Sequence, residues 1–402
     1  MVKGILTSIL ALLSCFLPVT GFSATGDYLW SGDIGGDKAT WSTPLLFNNS
    51  IIVQGQDGGI TALRADTGQQ VWYNSTTAGD TTSPILFDNN VYMIAGSHVY
   101  KIAPATGAIL ADRSLTGTVY GQAPAASGQL LFFIEGGESA FTLHAASLAS
   151  LEDIWTKPLG AAMASVLTDG TNLYVLADTL TALDPLTGNQ RWSVPPPDGY
   201  DYFNAGSLAD RTLVAFAAKQ WDSGNVLAAW SLGDGSAAPG LAWTQDFGTG
   251  MTDGSPPAID GGRVYANSRA GVLRAFTLAS GSPLWTYTVR NTDLAPALPT
   301  AVDGKVYIQL FVGPPTMLCL DGATGAVAWQ TPRSMSTAWS QPAIKDGRVY
   351  LATDWSGVFA FAAGHTDSIW PMFKNNPALT GSSDTPAPNQ AIAPVDLLLL
   401  GQ

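Results

Sequence analysis

One short stretch recurs along this 402-residue chain and constrains the fold more than any other feature. Residues 182–192 read ALDPLTGNQRW: a short apolar run, a tight Thr-Gly turn and a segment that ends in Trp. Related copies occupy 62–72, 275–285 and 319–329, and a copy at 101–111 has Ala111 in place of the Trp. A device repeated in this way is typical of architectures in which each unit buries its apolar faces against its neighbours.

A second repeating piece precedes each turn. It reads as a Pro-led apolar strand, a Gly/Asn/Asp turn and a β-branched or aromatic strand, as in SPILFDNNVYMI at 83–94 and QPAIKDGRVYLA at 341–352. The turn pairs Asn89-Asn90, Gly261-Gly262, Asp303-Gly304 and Asp346-Gly347 predict hairpins. Units begin about 40 residues apart, near Pro44, Pro84, Pro124, Ser165, Gly206, Pro256, Pro299 and Pro342. The pattern predicts an all-β protein, an eight-bladed β-propeller of four-stranded antiparallel blades.

The regularly spaced tryptophans are predicted to pack between blades. Gly188 permits the tight turn, and Trp192 then buries a large flat surface worth about 2–3 kcal/mol against the adjacent blade. The same inter-blade role is predicted for Trp30, Trp72, Trp155, Trp243, Trp285 and Trp329. The alternative, a ring of aromatic ligand contacts, fits regular spacing less well.

The two ends of the chain are predicted to meet. TGDYLW at 25–30 is only the last quarter of a unit, and the final unit, which starts at Gln341, supplies the other three strands. A strand at 25–31 therefore completes the last blade and covers its edge. HTDSIW at 365–370, with Trp370, is the rival. The propeller is placed at 25–369 and a Pro-rich tail at 370–402.

Residues 1–24 have the pattern of an export signal, with Lys3, an apolar centre at 5–17 and a small residue, Ala24, for cleavage. A lipoprotein signal acylated at Cys15 is the alternative, and only then is membrane attachment predicted. The location is therefore periplasmic or extracellular, or the outer membrane if Cys15 is lipidated. Cleavage near Ala24 leaves Cys319 alone, which excludes an intrachain disulfide.

Charge and motifs argue against several function classes. The 31 acidic against 18 basic residues, with no basic cluster, exclude nucleic acid as a partner. The three histidines, His98, His144 and His365, lack metal-ligand spacing. Possible carboxylate pairs in blade three are formed by Glu135, Glu138, Glu152 and Asp153, but the loop at 135–140 reads as a hairpin tip. No catalytic, cofactor-binding or metal-binding residue is predicted.

Aromatic residues are predicted at one mouth of the central channel. The residues just before the innermost strands include Trp41, Tyr120, Phe203 and Trp339. These four form a candidate surface for a peptide or sugar. The alternative is that they fill the channel.

The repeats resemble those of the pyrroloquinoline-quinone-type (quinoprotein-like) propeller family. Its signature, Ala-x-Asp-x-x-Thr-Gly-x-x-x-Trp, is matched in full at 182–192 and all but its first position at 319–329; Arg64 and Thr277 replace the Asp elsewhere. Longer members bind the quinone with an adjacent-cysteine disulfide, Ca²⁺ and a catalytic Asp, and this chain has no adjacent cysteine pair. Short members, such as the propeller lipoprotein of the β-barrel assembly machine, lack cofactor and act as scaffolds.

These observations predict an exported, monomeric, non-enzymatic scaffold without cofactor, which binds protein partners through its loops and channel mouth. Two alternatives stay open. One is a quinone-dependent oxidoreductase, and the other is a propeller that binds a small molecule or a carbohydrate.

Overall fold

The computed structural model consists of β-strands joined by turns and short connections. It describes residues 25–34, 42–55, 59–75, 82–117, 123–137, 140–160, 165–219, 224–248, 256–268, 271–288, 298–310, 317–331, 340–353 and 357–364. Within these ranges no helix has the length and hydropathy needed to cross a membrane. The predicted export signal, Trp370 and the tail lie outside them.

The first four blades are sheets of four antiparallel strands that follow one another in chain order, with β1 set apart at Tyr28–Gly32. Blade 1 is β2 Leu45–Phe47, β3 Ser50–Gln54, β4 Gly59–Arg64 and β5 Gln70–Ser75; blade 2 is β6 Ile85–Phe87, β7 Asn90–Ala95, β8 His98–Ile102 and β9 Ile109–Ser114; blade 3 is β10 Ala125–Ser127, β11 Leu130–Gly137, β12 Ala140–Ser147 and β13 Asp153–Leu159; blade 4 is β14 Ser165–Thr168, β15 Leu173–Leu176, β16 Leu180–Leu183 and β17 Gln190–Val194.

The remaining blades repeat this plan until the last, which takes its outer strand from the start of the chain. Blade 5 is β18 Tyr202–Ala209, β19 Thr212–Ala218, β20 Asn225–Ser231 and β21 Gly240–Gly248; blade 6 is β22 Ala258–Asp260, β23 Arg263–Ser268, β24 Val272–Thr277 and β25 Pro283–Thr288; blade 7 is β26 Thr300–Val302, β27 Lys305–Gln309, β28 Met317–Asp321 and β29 Val327–Gln330; blade 8 is β30 Ala343–Lys345, β31 Arg348–Thr353, β32 Gly357–Ala362 and then β1. Strand β1 pairs antiparallel with β32, Trp30 opposite Ala360.

The turn chemistry explains the first hairpin of the blades. Gly261-Gly262, Asp303-Gly304 and Asp346-Gly347 have positive φ at both residues, which is the type I′ geometry that matches the twist of the flanking strands. In blade 2 the turn is Asp88-Asn89, with φ of 47° and 54°, one residue before the predicted pair. Asp and Asn tolerate this left-handed conformation because their short side chains bond the local backbone.

Burial divides each blade into an inner and an outer part. The inner three strands are almost continuously buried, whereas the outer strands β5, β9 and β25 alternate between exposed and half-buried residues. The innermost strands contact one another around the axis, and β2 lies against both β6 and β30, so that the ring closes between blades 8 and 1. The all-β, eight-bladed, four-stranded fold predicted from the repeats is confirmed.

Candidate functional site

In blade 4 the Thr-Gly turn is shaped by its own Asp. The backbone N–H groups of Leu186 and Thr187 donate to Oδ1 of Asp184, at 2.9 and 3.1 Å, and Gly188 N–H donates to the Asp184 carbonyl at 2.8 Å. Arg191 donates to the other carboxylate oxygen at 2.8 Å. This hydrogen bond from Arg191 is the main reason that the pKa of Asp184 lies below its ordinary value. The carboxylate therefore has a local structural task.

Six of the outer-strand tryptophans donate the indole N–H to the turn of the following blade. Trp155 Nε1 lies 3.0 Å from the carbonyl oxygen of Pro185, across the seam between blades 3 and 4. The other donor and acceptor pairs, at 2.8–3.1 Å, are Trp30–Ala65, Trp72–Pro104, Trp192–Gly235, Trp243–Leu278 and Trp285–Gly322. Trp30, Trp192 and Trp243 are buried, and the others are half-buried. Six seams thus use one device.

The turn glycine also supplies the surface on which the neighbouring indole rests. Gly188 has φ of +68°, and a Cβ atom built there would lie 2.8 Å from the Trp155 ring. The same clash, at 2.6 Å, would occur between Gly325 and Trp285. Glycine is therefore needed twice, for the positive φ and for the close approach. Only the first of these tasks was predicted from the sequence.

The seam between blades 7 and 8 uses the start of the chain in place of a Thr-Gly turn. A Cβ on Gly26 would lie 3.1 Å from the ring of Trp329, and Gly26 N–H donates to the Ala362 carbonyl at 2.7 Å. Gly26 therefore stands where the turn glycines stand in blades 1, 2, 4, 6 and 7.

Each outer-strand tryptophan is paired with a small residue on the adjacent strand of its own blade. It is Ala62, Ala145, Ala182, Ala229, Ala275 or Ala360, and opposite Trp329 it is Cys319. Cys319 is buried, and burial raises the pKa of its thiol to about 12. The free cysteine therefore serves as a small apolar residue beneath an indole.

The seam between blades 2 and 3 departs from this plan at every position. Ala111 replaces the Trp, and Lys101 replaces the small residue opposite it. Lys101 Nζ donates to the Leu148 carbonyl at 3.0 Å, as the indole does elsewhere, and Leu151 takes the turn-glycine position with φ of 63°. The small residue of this seam is therefore on the outer strand, and the large residues stand opposite it and in the turn of the next blade. The sequence showed Ala111 as a departure from the motif, but Leu151 and its pairing with Ala111 were not predicted.

Polar side chains connect neighbouring blades where the innermost strands begin. Gln341 N–H donates to Thr43 Oγ1 at 3.1 Å, and Thr43 N–H donates to Ser83 Oγ at 3.0 Å, which joins blades 8, 1 and 2. Ser207 Oγ donates to the Pro257 carbonyl at 2.5 Å between blades 5 and 6. No sequence pattern predicted these bonds.

Of the four aromatics predicted at the channel mouth, the structure describes one. Phe203 is fully buried, with its ring edge-on to Trp230 at a centroid distance of 5.3 Å. Trp41, Tyr120 and Trp339 lie outside the described residues. The burial of Phe203 fits a space-filling role, and the aromatic mouth stays a prediction.

The two histidines that the structure describes lie beside carboxylates. His98 faces Asp112, with Nδ1 3.7 Å from a carboxylate oxygen, and His144 lies between Asp153 and Glu135. His365 and Glu138 lie outside the described residues. Among the residues that the structure covers, no three His, Cys, Asp or Glu side chains are arranged to hold a metal ion.

Comparison with known proteins shows a family match over most of the chain. The model of the family described as outer membrane protein assembly factor BamB matches residues 18–199, 223–313 and 297–397. The tetrathionate hydrolase of Acidithiobacillus ferrooxidans is 24% identical over 372 residues, which cover 79% of this chain and 71% of that protein. BamB of Bordetella pertussis is 27% identical over 146 residues, 35% of this chain and 36% of the relative.

Solved structures share the architecture at low identity. BamB from Moraxella catarrhalis superposes with a TM-score of 0.65 at 15% identity, over 81% of this chain and 95% of that one. Quinohemoprotein alcohol dehydrogenase from Comamonas testosteroni gives a TM-score of 0.63 at 13% identity, over 85% and 77% of the two chains. At such identities the likeness shows the fold alone.

Proposed function

This chain belongs to the propeller family of outer membrane protein assembly factor BamB, and from that premise we propose that it is an exported, non-enzymatic scaffold that binds protein partners. Its loops and channel mouth are the proposed contact surface. The observation that carries the proposal is the family match, which extends through nearly all eight blades.

The physical character of the chain supports this proposal. Indole hydrogen bonds tie six seams, Lys101 ties the seam between blades 2 and 3, and the Thr300 hydroxyl donates to the Pro342 carbonyl between blades 7 and 8. A ring held in this way can present loops without the ordering cost that weakens flexible binders. The described acidic and basic side chains of the Thr-Gly turns are engaged in shaping those turns. Binding is therefore proposed at the end of the ring where the innermost strands begin.

Affinity capture tests the scaffold. Tagged protein is expressed in its own host, the envelope is solubilised in mild detergent, and co-purified proteins are identified and quantified by mass spectrometry. We expect one or a few envelope proteins near stoichiometric amounts. The double variant Trp41→Ala/Trp339→Ala should lower their recovery about tenfold, the effect of about 1.4 kcal/mol of binding free energy.

The matched control is Leu186→Ala, which removes a side chain 63% exposed on the turn before β17, at the opposite end of the ring. It should leave recovery unchanged. Recovery that falls equally in both variants, or a double variant that no longer unfolds cooperatively, would contradict partner binding at the mouth and favour a channel plug.

A second candidate function rests on a specific observation. The relative that aligns over 79% of this chain is a tetrathionate hydrolase, and we therefore keep hydrolysis of a polythionate as the alternative. Incubation of the purified protein with tetrathionate, followed by ion chromatography, tests it. Loss of tetrathionate in proportion to native protein, absent after heat denaturation, would replace the scaffold proposal.

The quinone alternative has a direct binding test. Pyrroloquinoline quinone and Ca²⁺ are added together while the unfolding temperature is recorded. A saturable rise would show that the native protein binds the quinone, and would favour an oxidoreductase over a scaffold.

A further inference from the structure

Strand β1 is attached to its blade differently from the other outer strands. In blades 1 to 7 a turn of the chain joins the outer strand to the strand beside it, whereas β1 and its neighbour β32 lie at opposite ends of the described chain. Only hydrogen bonds and side-chain contacts therefore hold the β1 segment, residues 25–34, on blade 8. The chain continues from this segment to blade 1 through residues 35–41, which lie outside the described residues.

The inner three strands of blade 8 have contacts of their own with both neighbouring blades. On the side of blade 7, Nε2 of Gln341 donates to the Pro299 carbonyl at 2.9 Å. On the side of blade 1, the Tyr350 hydroxyl donates to the Ala65 carbonyl at 3.3 Å. Neither bond involves β1. A local departure of β1 therefore leaves the rest of blade 8 in the ring, with the edge of β32 unpaired.

The seam between blades 7 and 8 lacks the outer hydrogen bond of the other tryptophan seams. Trp329 lies over Gly26, but its indole N–H has no acceptor among the described residues. The turn that supplies the acceptor elsewhere is divided here between the two ends of the described chain, and a Cβ on Gly364 would lie 2.9 Å from Cγ2 of Thr25. The start of the β1 segment is therefore held by one hydrogen bond fewer than the matching turns.

The site that β1 occupies is selective for sequence. Trp30 is 8% exposed, its ring lies against Gly68 and 5.9 Å from the ring centroid of Tyr350, and its N–H donates to the Ala65 carbonyl at 3.1 Å. A Cβ on Gly32 would lie 2.6 Å from the Gly68 carbonyl oxygen. With the glycine beneath Trp329, the site requires Gly-x-x-x-Trp-x-Gly in an extended segment. That pattern occurs once in the 402 residues, at 26–32.

We propose that β1 is an exchangeable strand, and that the edge of β32 with the pocket of Trp30 is a docking site for residues 25–34 of a second copy of this protein. Reciprocal exchange completes blade 8 of each copy with the strand of the other and gives a two-fold dimer. The pairing of β1 with β32 is the same in both forms, so protein concentration decides between them. A tethered strand competes at an effective concentration on the order of 1 mM. This self-association does not depend on partner binding at the channel mouth.

Mixing two single-cysteine variants tests the exchange in the full protein. Ser31 of β1 and Phe359 of β32 are paired across the two strands. One preparation carries Ser31→Cys and the other Phe359→Cys, and they are incubated together under native conditions at up to about 1 mM before oxidation. We expect a disulfide-linked dimer whose yield rises with protein concentration, and mass spectrometry of the linked peptides should identify positions 31 and 359.

The matched control is the equivalent pair in blade 4. Ser193 follows Trp192 as Ser31 follows Trp30, and Ser193 is paired with Thr181. The turn at 184–189 joins these two strands, so β17 cannot be replaced by the strand of another copy. A mixture of Ser193→Cys with Thr181→Cys should therefore give at least tenfold less linked dimer. Equal yields from the two mixtures, or no dimer from the first, would overturn the exchange.

A labelled peptide keeps the proposal testable if Phe359→Cys does not fold. The peptide has the sequence of residues 25–34 and is added to the wild-type protein at up to about 1 mM. Its fluorescence anisotropy should rise slowly, because β1 must leave first, and the same peptide with Trp30→Ala should bind about tenfold more weakly. Absence of binding, or equal binding of the two peptides, would show that β1 does not exchange.

Discussion

At the scale of single residues, the stability of this ring depends on contacts between a tryptophan of one blade and a glycine of the next. An indole from one blade lies on the glycine of the next, and its N–H reaches a carbonyl beside that glycine. Neither residue has this role within its own blade. The Thr-Gly and the Trp of one sequence motif therefore act at two different seams.

A glycine pair can separate the cost of backbone conformation from the cost of the clash. Gly188 and Gly304 both have φ of +68°, but a Cβ meets the Trp155 ring only at Gly188 and meets nothing within 4 Å at Gly304. Gly304→Ala should lower the free energy of unfolding by about 1–2 kcal/mol. Gly188→Ala should cost a further 1–3 kcal/mol or so, because the indole must move. Urea unfolding of the two variants measures the difference, and equal losses would contradict the contact.

The buried thiol makes a second prediction at this scale. Because burial raises the pKa of Cys319 to about 12, almost no thiolate exists at neutral or mildly alkaline pH. Alkylation by iodoacetamide at pH 8, followed by mass spectrometry of the peptide that contains Cys319, should find it unmodified in native protein and modified in urea. Rapid alkylation of the native protein would show that β28 opens.

At the scale of strands, the seam between blades 2 and 3 shows how far one repeat can change if its neighbour changes too. Three departures from the repeat, in two different blades, meet at this seam. They are Ala111 on β9, Lys101 on β8 and Leu151 after β12. Arg113 of β9 also pairs with Asp153 of β13 across this seam.

Because these three residues share one seam, we expect the effects of their substitution on the free energy of unfolding to be strongly non-additive. Ala111→Trp alone should lower the free energy of unfolding by about 1–3 kcal/mol, because Lys101 and the buried Leu151 occupy the space of the ring. The triple variant Lys101→Ala/Ala111→Trp/Leu151→Gly rebuilds the common seam and should recover most of that loss. Denaturant unfolding of the single and triple variants provides the test. A triple variant less stable than Ala111→Trp would show that the three positions do not form one unit.

At the scale of the whole molecule, closure of the ring depends on pairing between the two ends of the described chain. Strand β1 pairs with β32, Trp30 contacts blade 1 and Gly26 contacts Trp329 of blade 7. One short segment therefore takes part in two seams and one sheet. Its loss would leave blade 8 with an unpaired edge.

Two tryptophans test which segment closes the ring. Trp30 is buried and donates to Ala65, so Trp30→Ala should cost about 3–5 kcal/mol. Trp370→Ala, at the rival position, should change stability by less than about 0.5 kcal/mol. Thermal and urea unfolding of both variants decide between them, since the opposite order would assign closure to residues 365–370.

The amino-acid sequence by itself determined the strands, three of the four named hairpin turns, the eight-fold repeat and the tryptophan positions, because each depends on residues close together in the chain. Alternation, Gly at a positive φ and a Trp at a fixed spacing are local properties. Only the tertiary structure decided that Glu135, His144 and Asp153 meet on three strands, and that Lys101 and Leu151 compensate for Ala111. These contacts depend on the register between strands and on which faces of two neighbouring blades pack against each other. A pattern of residues close together in the sequence does not contain that information.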